Sequence, residues 1–162
     1  MVDIDDNVER IPVIVETGFK DTALLNTFPW SWDDESVDEF KCVDAFCYVP
    51  AHQRPIFMDE LYRILSVGGR GTIIVPYYAT ALAVADYAME WPPLSEHSFL
   101  YFNKKWREAN SVSDRPIKAD FDFTYGYLLE PDIATRATEQ QADQVKHHWN
   151  VAQRLQMNLI KV

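Results

Sequence analysis

The chain alternates compact apolar runs with stretches of helical spacing. Val13-Ile14-Val15, entered through Ile11 and Pro12, is a short β-branched run that ends at Glu16 and is broken by Thr17-Gly18. Such a run predicts a buried parallel strand followed by a loop. Thr22 to Asn26 predicts a second short strand, and 28–35 reads as a loop with aromatic anchors. Ser36 to Phe46 predicts the next strand, with apolar positions at Val37, Phe40, Cys42, Val43, Ala45 and Phe46. Pro55 suits a first helical turn, and Phe57, Leu61 and Leu65 then recur at i, i+4 and i+8 beside Met58 and Ile64. Gly68-Gly69 predicts the stop of that helix, because glycine accepts the left-handed conformation. Gly71 to Pro76 is apolar on both sides, which predicts a central strand.

The second half reads more loosely. Ala79 to Met89 is alanine-rich and predicts a helix ended by Trp91-Pro92-Pro93. Ser95 has the character of an N-cap, with Leu94 and Phe99 spaced as a hydrophobic staple, for a helix reaching about Asn110. Ala119 to Tyr127 alternates cleanly, with Phe121, Phe123, Tyr125 and Tyr127 on one face. Thr138-Glu139-Gln140-Gln141 has the form of a capping box for a helix to about Trp149, and Leu155, Met157 and Leu159 alternate in a closing strand. The pattern predicts an α/β fold: a partial Rossmann-like sheet, mostly parallel with an antiparallel edge, and helices on both faces.

Composition narrows the function classes. At 162 residues, 1–162 is expected to be a single domain, with 1–10 flexible. The net charge of −10 repels phosphate backbones, so no free nucleic-acid binding is expected. No apolar run approaches the roughly 18–20 residues of a membrane span. The first ten residues are acidic and polar, unlike a secretory signal, so the expected location is cytoplasmic. Cys42 and Cys47, on one strand, would face opposite ways, which argues against a disulfide, and their spacing is not that of a metal site. His147-His148 are adjacent and point about 100° apart on a helix, and His52 and His97 are isolated. No metal is expected. Asp120 and Asp122 share a strand face, as a carboxylate pair or as an exposed polar face.

From about residue 26 onward the wording is specific. It includes Leu25-Asn26-Thr27-Phe28-Pro29-Trp30, Asp34-Glu35-Ser36-Val37-Asp38-Glu39 and Phe57-Met58-Asp59-Glu60-Leu61-Tyr62-Arg63-Ile64-Leu65. Thr72-Ile73-Ile74-Val75-Pro76-Tyr77-Tyr78, Ser95-Glu96-His97-Ser98-Phe99, Trp106-Arg107-Glu108-Ala109-Asn110 and Phe121-Asp122-Phe123-Thr124-Tyr125-Gly126-Tyr127 follow in order. Over about four-fifths of its length the chain resembles small class I S-adenosylmethionine (SAM)-dependent methyltransferases of the phage and bacterial type. The resemblance implies SAM as cofactor, yet only Gly18 precedes Gly68, so the glycine-rich cofactor loop of that family is missing and the chain resembles an N-terminally truncated member.

If Val13-Ile14-Val15 is the family's second strand, Glu16 falls where an acid hydrogen-bonds the cofactor ribose. The resemblance likewise puts Asp44 and Phe46 at the cofactor edge, and Tyr77 and Tyr78 at a strand end suited to substrate, although the stacking element of that family follows its fourth strand, and packing beside a Pro-terminated strand is the plainer reading of the tyrosines. No catalytic residue is assigned. Polar, histidine-bearing stretches of the family are replaced here by Asp44-Ala45-Phe46-Cys47-Tyr48-Val49-Pro50 and by Asp86-Tyr87-Ala88-Met89-Glu90-Trp91-Pro92-Pro93. Trp30, Trp32, Trp91, Tyr77 and Tyr78 fall in loop-like segments. Together these imply a degenerate methyltransferase with weak or absent SAM binding, working through a homo-oligomer or a protein partner on an uncovered sheet. The other reading is an active methyltransferase whose site a partner or unusual residues complete.

Overall fold

The computed structural model describes the backbone of residues 11–16 and, with side chains, residues 27–112 and 114–162. The strand expected at 22–26 and the segment 1–10 lie outside the described residues. The elements run β1 (Ile11–Glu16), β2 (Val37–Val43), α1 (Arg54–Ile64), β3 (Leu65–Pro76), α2 (Leu82–Ala85) and α3 (Glu96–Leu100). There follow α4 (Lys104–Ala109), β4 (Phe121–Leu129), α5 (Pro131–Ala134), α6 (Thr138–His147) and β5 (Ala152–Lys161).

The strands form one sheet in the order β1-β2-β3-β5-β4. β1, β2 and β3 are parallel, and β5 runs antiparallel to both β3 and β4. The sheet is therefore evenly mixed and not mostly parallel. β5 is inserted between β3 and β4, so the antiparallel part reaches into the sheet instead of trimming its edge.

Side-chain alternation gives the sheet two unlike faces. The row Cys42–Ile73–Met157 is fully buried, whereas the adjoining row Lys41–Thr72–Asn158–Thr124 is half-buried or exposed. α1 packs on the apolar face: Phe57 meets Phe40, Tyr62 meets Phe121, and a Cβ on Gly71 would meet Leu61 Cδ2 at 3.6 Å. Helices were expected on both faces. Among the described residues the opposite face carries Glu39, Lys41, Arg70, Thr72, Gln156 and Asn158, none of them buried. At the centre of the core, Phe57 lies edge-on to Trp30, with ring centroids 5.0 Å apart, and 4.9 Å from Phe46.

Element boundaries differ from expectation for local reasons. α1 ends at Ile64, well before the double glycine, because Leu65 enters the β2 ladder opposite Val37. The Leu65 carbonyl accepts from Lys161 Nζ at 2.8 Å. Gly68-Gly69 lies instead in a bulge of β3, between the pairings Val37–Leu65 and Glu39–Arg70. Gly68 has φ 75°, and a Cβ on Gly69 would meet the Ser66 carbonyl oxygen at 2.7 Å, so both positions need glycine. The long helix expected from Ser95 is two short ones. Asn103 interrupts it and caps the second, accepting from the Trp106 N–H at 2.8 Å. The first keeps its capping box through Ser95 and Ser98. At α6 the N-cap is Ala137, without a side-chain cap bond, and Gln141 donates back to the Ala134 and Arg136 carbonyls.

Phe57→Ala removes the ring shared by Trp30, Phe40 and Phe46. It should cost about 3–5 kcal/mol in urea unfolding monitored by tryptophan fluorescence, whereas Val67→Ala, at an exposed position, should be nearly neutral.

Candidate functional site

In open α/β sheets, ligands bind outside the carboxyl ends of parallel strands. Here those ends are Glu16, Val43 and Pro76, with Glu16 opposite Val43 in the ladder. The Glu16 side chain lies outside the described residues.

Asp44 follows β2 directly. It adopts a left-handed φ of 49°, and its N–H donates to the Ile74 carbonyl at 2.8 Å. Its carboxylate accepts from Arg154 of β5 through Nε at 3.0 and 3.1 Å, with Nη2 at 2.9 Å. The hydrogen bond to Asp44 raises the pKa of the Arg154 guanidinium above its ordinary value. A ribose hydroxyl would have to compete with that charge-assisted fork. Phe46 is fully buried between Phe57 and Phe99, at 4.9 and 5.7 Å, which makes it a core residue with no free ring face.

Tyr77 is only 4% exposed, with its ring 4.8 Å from Tyr78 and 5.1 Å from Tyr127. Burial pushes the Tyr77 phenol upward, with the charge of Glu96 adding to it. The same causes, in the same order, push Tyr127 up to about 12. Tyr78 is 49% exposed and presents its ring to solvent. The structure thus brings Tyr77, Tyr78 and Tyr127 together at the end of β3. Trp30 is buried, Trp32 half-buried and Trp91 exposed.

The segment after β3 turns back over the ends of β2 and β3. Only Leu82–Ala85 of the expected helix forms, and 86–94 crosses in extended and turn conformations. The Tyr78 N–H donates to Leu94 O and the Glu90 N–H to Cys47 O, each at 2.9 Å. Tyr48 Oη donates to Asp86 Oδ2 at 2.9 Å. Arg54 is the main clamp: buried, it donates to the carbonyls of Val49, Glu90 and Pro92 at 3.1, 2.8 and 2.8 Å. The cavity left between Cys47, Arg54, Pro76, Glu90, Pro92 and Leu94 is about 10 Å³. That is room for about one water, where a cofactor-sized ligand needs some 300 Å³ or more. The described residues around this cavity leave no room for SAM within it.

Sequence reasoning missed Arg54. The signal was present: Arg54, Phe57, Met58, Leu61 and Ile64 form one stripe, and the arginine occupies its first position. Such a cation on an apolar stripe is buried to hold something. Asp120 accepts from the Lys104 N–H at 2.8 Å and Asp122 from Asn103 Nδ2 at 3.3 Å, so each carboxylate fixes a loop. No cluster of three or more metal-ligating groups occurs among the described residues, and no described helix is long and apolar enough to cross a membrane.

No family model and no curated protein matches the sequence. Among solved structures, the chain is similar to a SAM-dependent methyltransferase from Archaeoglobus fulgidus, with TM-score 0.56 and 10% identity over 81% of this chain and 62% of that one. It is also similar to geranyl diphosphate C-methyltransferase from Streptomyces coelicolor A3(2), with TM-score 0.51 and 15% identity over 83% and 49% of the two chains. The chain has the fold of SAM-dependent methyltransferases, and it spans less than two thirds of the length of either protein.

Arg54→Ala should leave three carbonyls without their donor. We expect a loss of about 2 kcal/mol and faster hydrogen exchange at the Glu90 amide, with β4 and β5 unchanged. A second prediction concerns the thiols. Burial pushes both Cys42 and Cys47 from 9.0 up to about 12. Neither should react with a thiol reagent at pH 8 until the chain is unfolded. Because the folded state holds these protons longer, their contribution to stability is complete below about pH 9 and is lost as the pH rises toward 12.

Proposed function

We propose that this chain is a binding or regulatory subunit built on the SAM-dependent methyltransferase fold and is not catalytic by itself. The observation that carries this reading is the sealed edge. Arg154 occupies the Asp44 carboxylate, Phe46 serves the core, and the 86–94 segment leaves about 10 Å³ beneath it. The fold itself carries no activity.

In this reading the protein is a degenerate member of the phage and bacterial type, present in the cytoplasm, and meets a protein partner. Tyr78, Leu82, Val84, Tyr87 and Trp91 are exposed apolar residues on the segment over the sealed edge. Trp149 stands beside Asn150, whose N–H donates to the Ala79 carbonyl at 2.8 Å. Apolar side chains gathered in one region mark interaction surfaces more often than solvent-facing ones.

A second reading is an active methyltransferase completed by a partner. The exposed ring of Tyr78 beside Tyr77 and Tyr127 favours it, since a flat acceptor would stack there.

Isothermal titration of the full chain with SAM separates the two. No saturable heat is expected at millimolar SAM. Saturable binding, abolished by an Asp44→Asn substitution, would refute the non-catalytic reading. Binding that appears only in the presence of a co-purified partner would support the second one.

A further inference from the structure

β4 is an edge strand, with β5 on one side and no described strand on the other. Its first residue shows which groups face outward. The Phe121 N–H donates to Phe102 O at 2.9 Å, and the Phe121 carbonyl accepts from Asn103 Nδ2 at 2.8 Å, both away from β5. In an antiparallel ladder, alternate residues direct both backbone groups to the same side. Phe123, Tyr125 and Tyr127 therefore also face outward, while Asp122, Thr124, Gly126 and Leu128 bond to β5. The outward groups of Phe123, Tyr125 and Tyr127 have no partner among the described residues.

This open stretch has defined ends. The loop at 102–103 satisfies Phe121 at one end, and the register shifts between Leu128 and Leu129 at the other. The open window is 122–128, and its centre is Tyr125. The usual guards of an edge, lysine and proline, do not occur in it. Tyr125 is 51% exposed and Leu128 42%. The buried row Cys42–Ile73–Met157 of the apolar face runs out at Tyr125.

We propose that two copies of this chain pair through β4, antiparallel and centred on Tyr125, so that one sheet runs through the dimer. A window symmetric about one residue is self-complementary under a two-fold axis. Tyr125 then lies opposite Tyr125, Phe123 opposite Tyr127, Thr124 opposite Gly126 and Asp122 opposite Leu128. Every outward residue meets an outward residue, giving two hydrogen bonds per pair. Within 122–128 no charge faces a like charge. The aromatic row Tyr77–Tyr127–Tyr125, with steps of 5.1 and 5.8 Å, continues into the second copy's tyrosine and phenylalanine.

The neighbouring registers are worse. One sets Phe123 opposite Leu129, past the register shift of β4. Another sets Tyr127 opposite Phe121, whose backbone groups are already taken. Slipping by a single residue sets outward groups against inward ones. An unrelated strand would match the hydrogen bonds but not this side-chain symmetry. The inference stands whether or not the methyltransferase reading does.

Light scattering on the full chain at increasing concentration should approach twice the monomer mass. Tyr125→Cys should cross-link the copies on mild oxidation, because facing Cα atoms about 5.5 Å apart are within disulfide reach. Thr124→Cys, opposite Gly126, should not, and the buried Cys42 and Cys47 stay out of the reaction. Tyr125→Lys and Tyr125→Glu should each be monomeric with unchanged circular dichroism, and their mixture should recover the dimer. A chain that stays monomeric at every concentration overturns the proposal. So does a dimer that Tyr125→Cys fails to cross-link, or one that survives Tyr125→Lys intact.

Discussion

One helix stripe holds this molecule together at two levels. From its second member onward the stripe of α1 is apolar, and Phe57, Met58, Leu61 and Ile64 bury the sheet's inner face. Its first member is Arg54, and the same rotation that buries the others carries its guanidinium under the segment after β3. Taking a cation out of water is costly unless its donors are met, and three carbonyls meet them. The core and the closed edge are therefore not separable. A change that tilts α1 disturbs the aromatic cluster and the covering segment together.

That coupling explains what the sequence shows clearly and what it hides. β2, β3, β4 and β5 each contain the alternation or the apolar run that predicts them, because burial on a pleated surface leaves a period of two. The order of those strands leaves no such trace. Nothing in Leu155, Met157 and Leu159 says that β5 lies between β3 and β4 and not outside them. The segment Ala79–Met89 misleads for a related reason. Alanine favours helix locally, but Asp86 holds the Ala88 N–H and the Tyr48 hydroxyl, and Arg54 draws the carbonyls of Glu90 and Pro92. Tertiary bonds outweigh propensities of a few tenths of a kcal/mol per residue. The site shows the same asymmetry. Asp44 stands out through the family resemblance, but its partner Arg154 is 110 residues away.

The arginines give the acidic composition a different meaning. Arg54 and Arg107 are buried against backbone carbonyls, Arg107 holding those of Tyr101, Ala119 and Ile117. Arg63 ties the aromatic loop to α1 through Trp30 O, Trp32 O, Glu60 and Asp34. Arg154 is committed to Asp44. Much of the positive charge thus works inside the fold as connectors between loops. Where the partner is a carboxylate, as with Arg63 and Arg154, the pairing neutralises acid and base together.

The inward position of β5 also sets an order for biosynthesis. β5 is translated after the other four described strands, yet both β3 and β4 hydrogen-bond to it. Until Ala152–Lys161 has left the ribosome, the parallel β1–β3 layer has one unsatisfied margin and β4 has nothing to join. Nascent chains expose such margins to neighbours on the same polysome. The growing polypeptide must therefore wait, as two unfinished halves, for the strand that joins them.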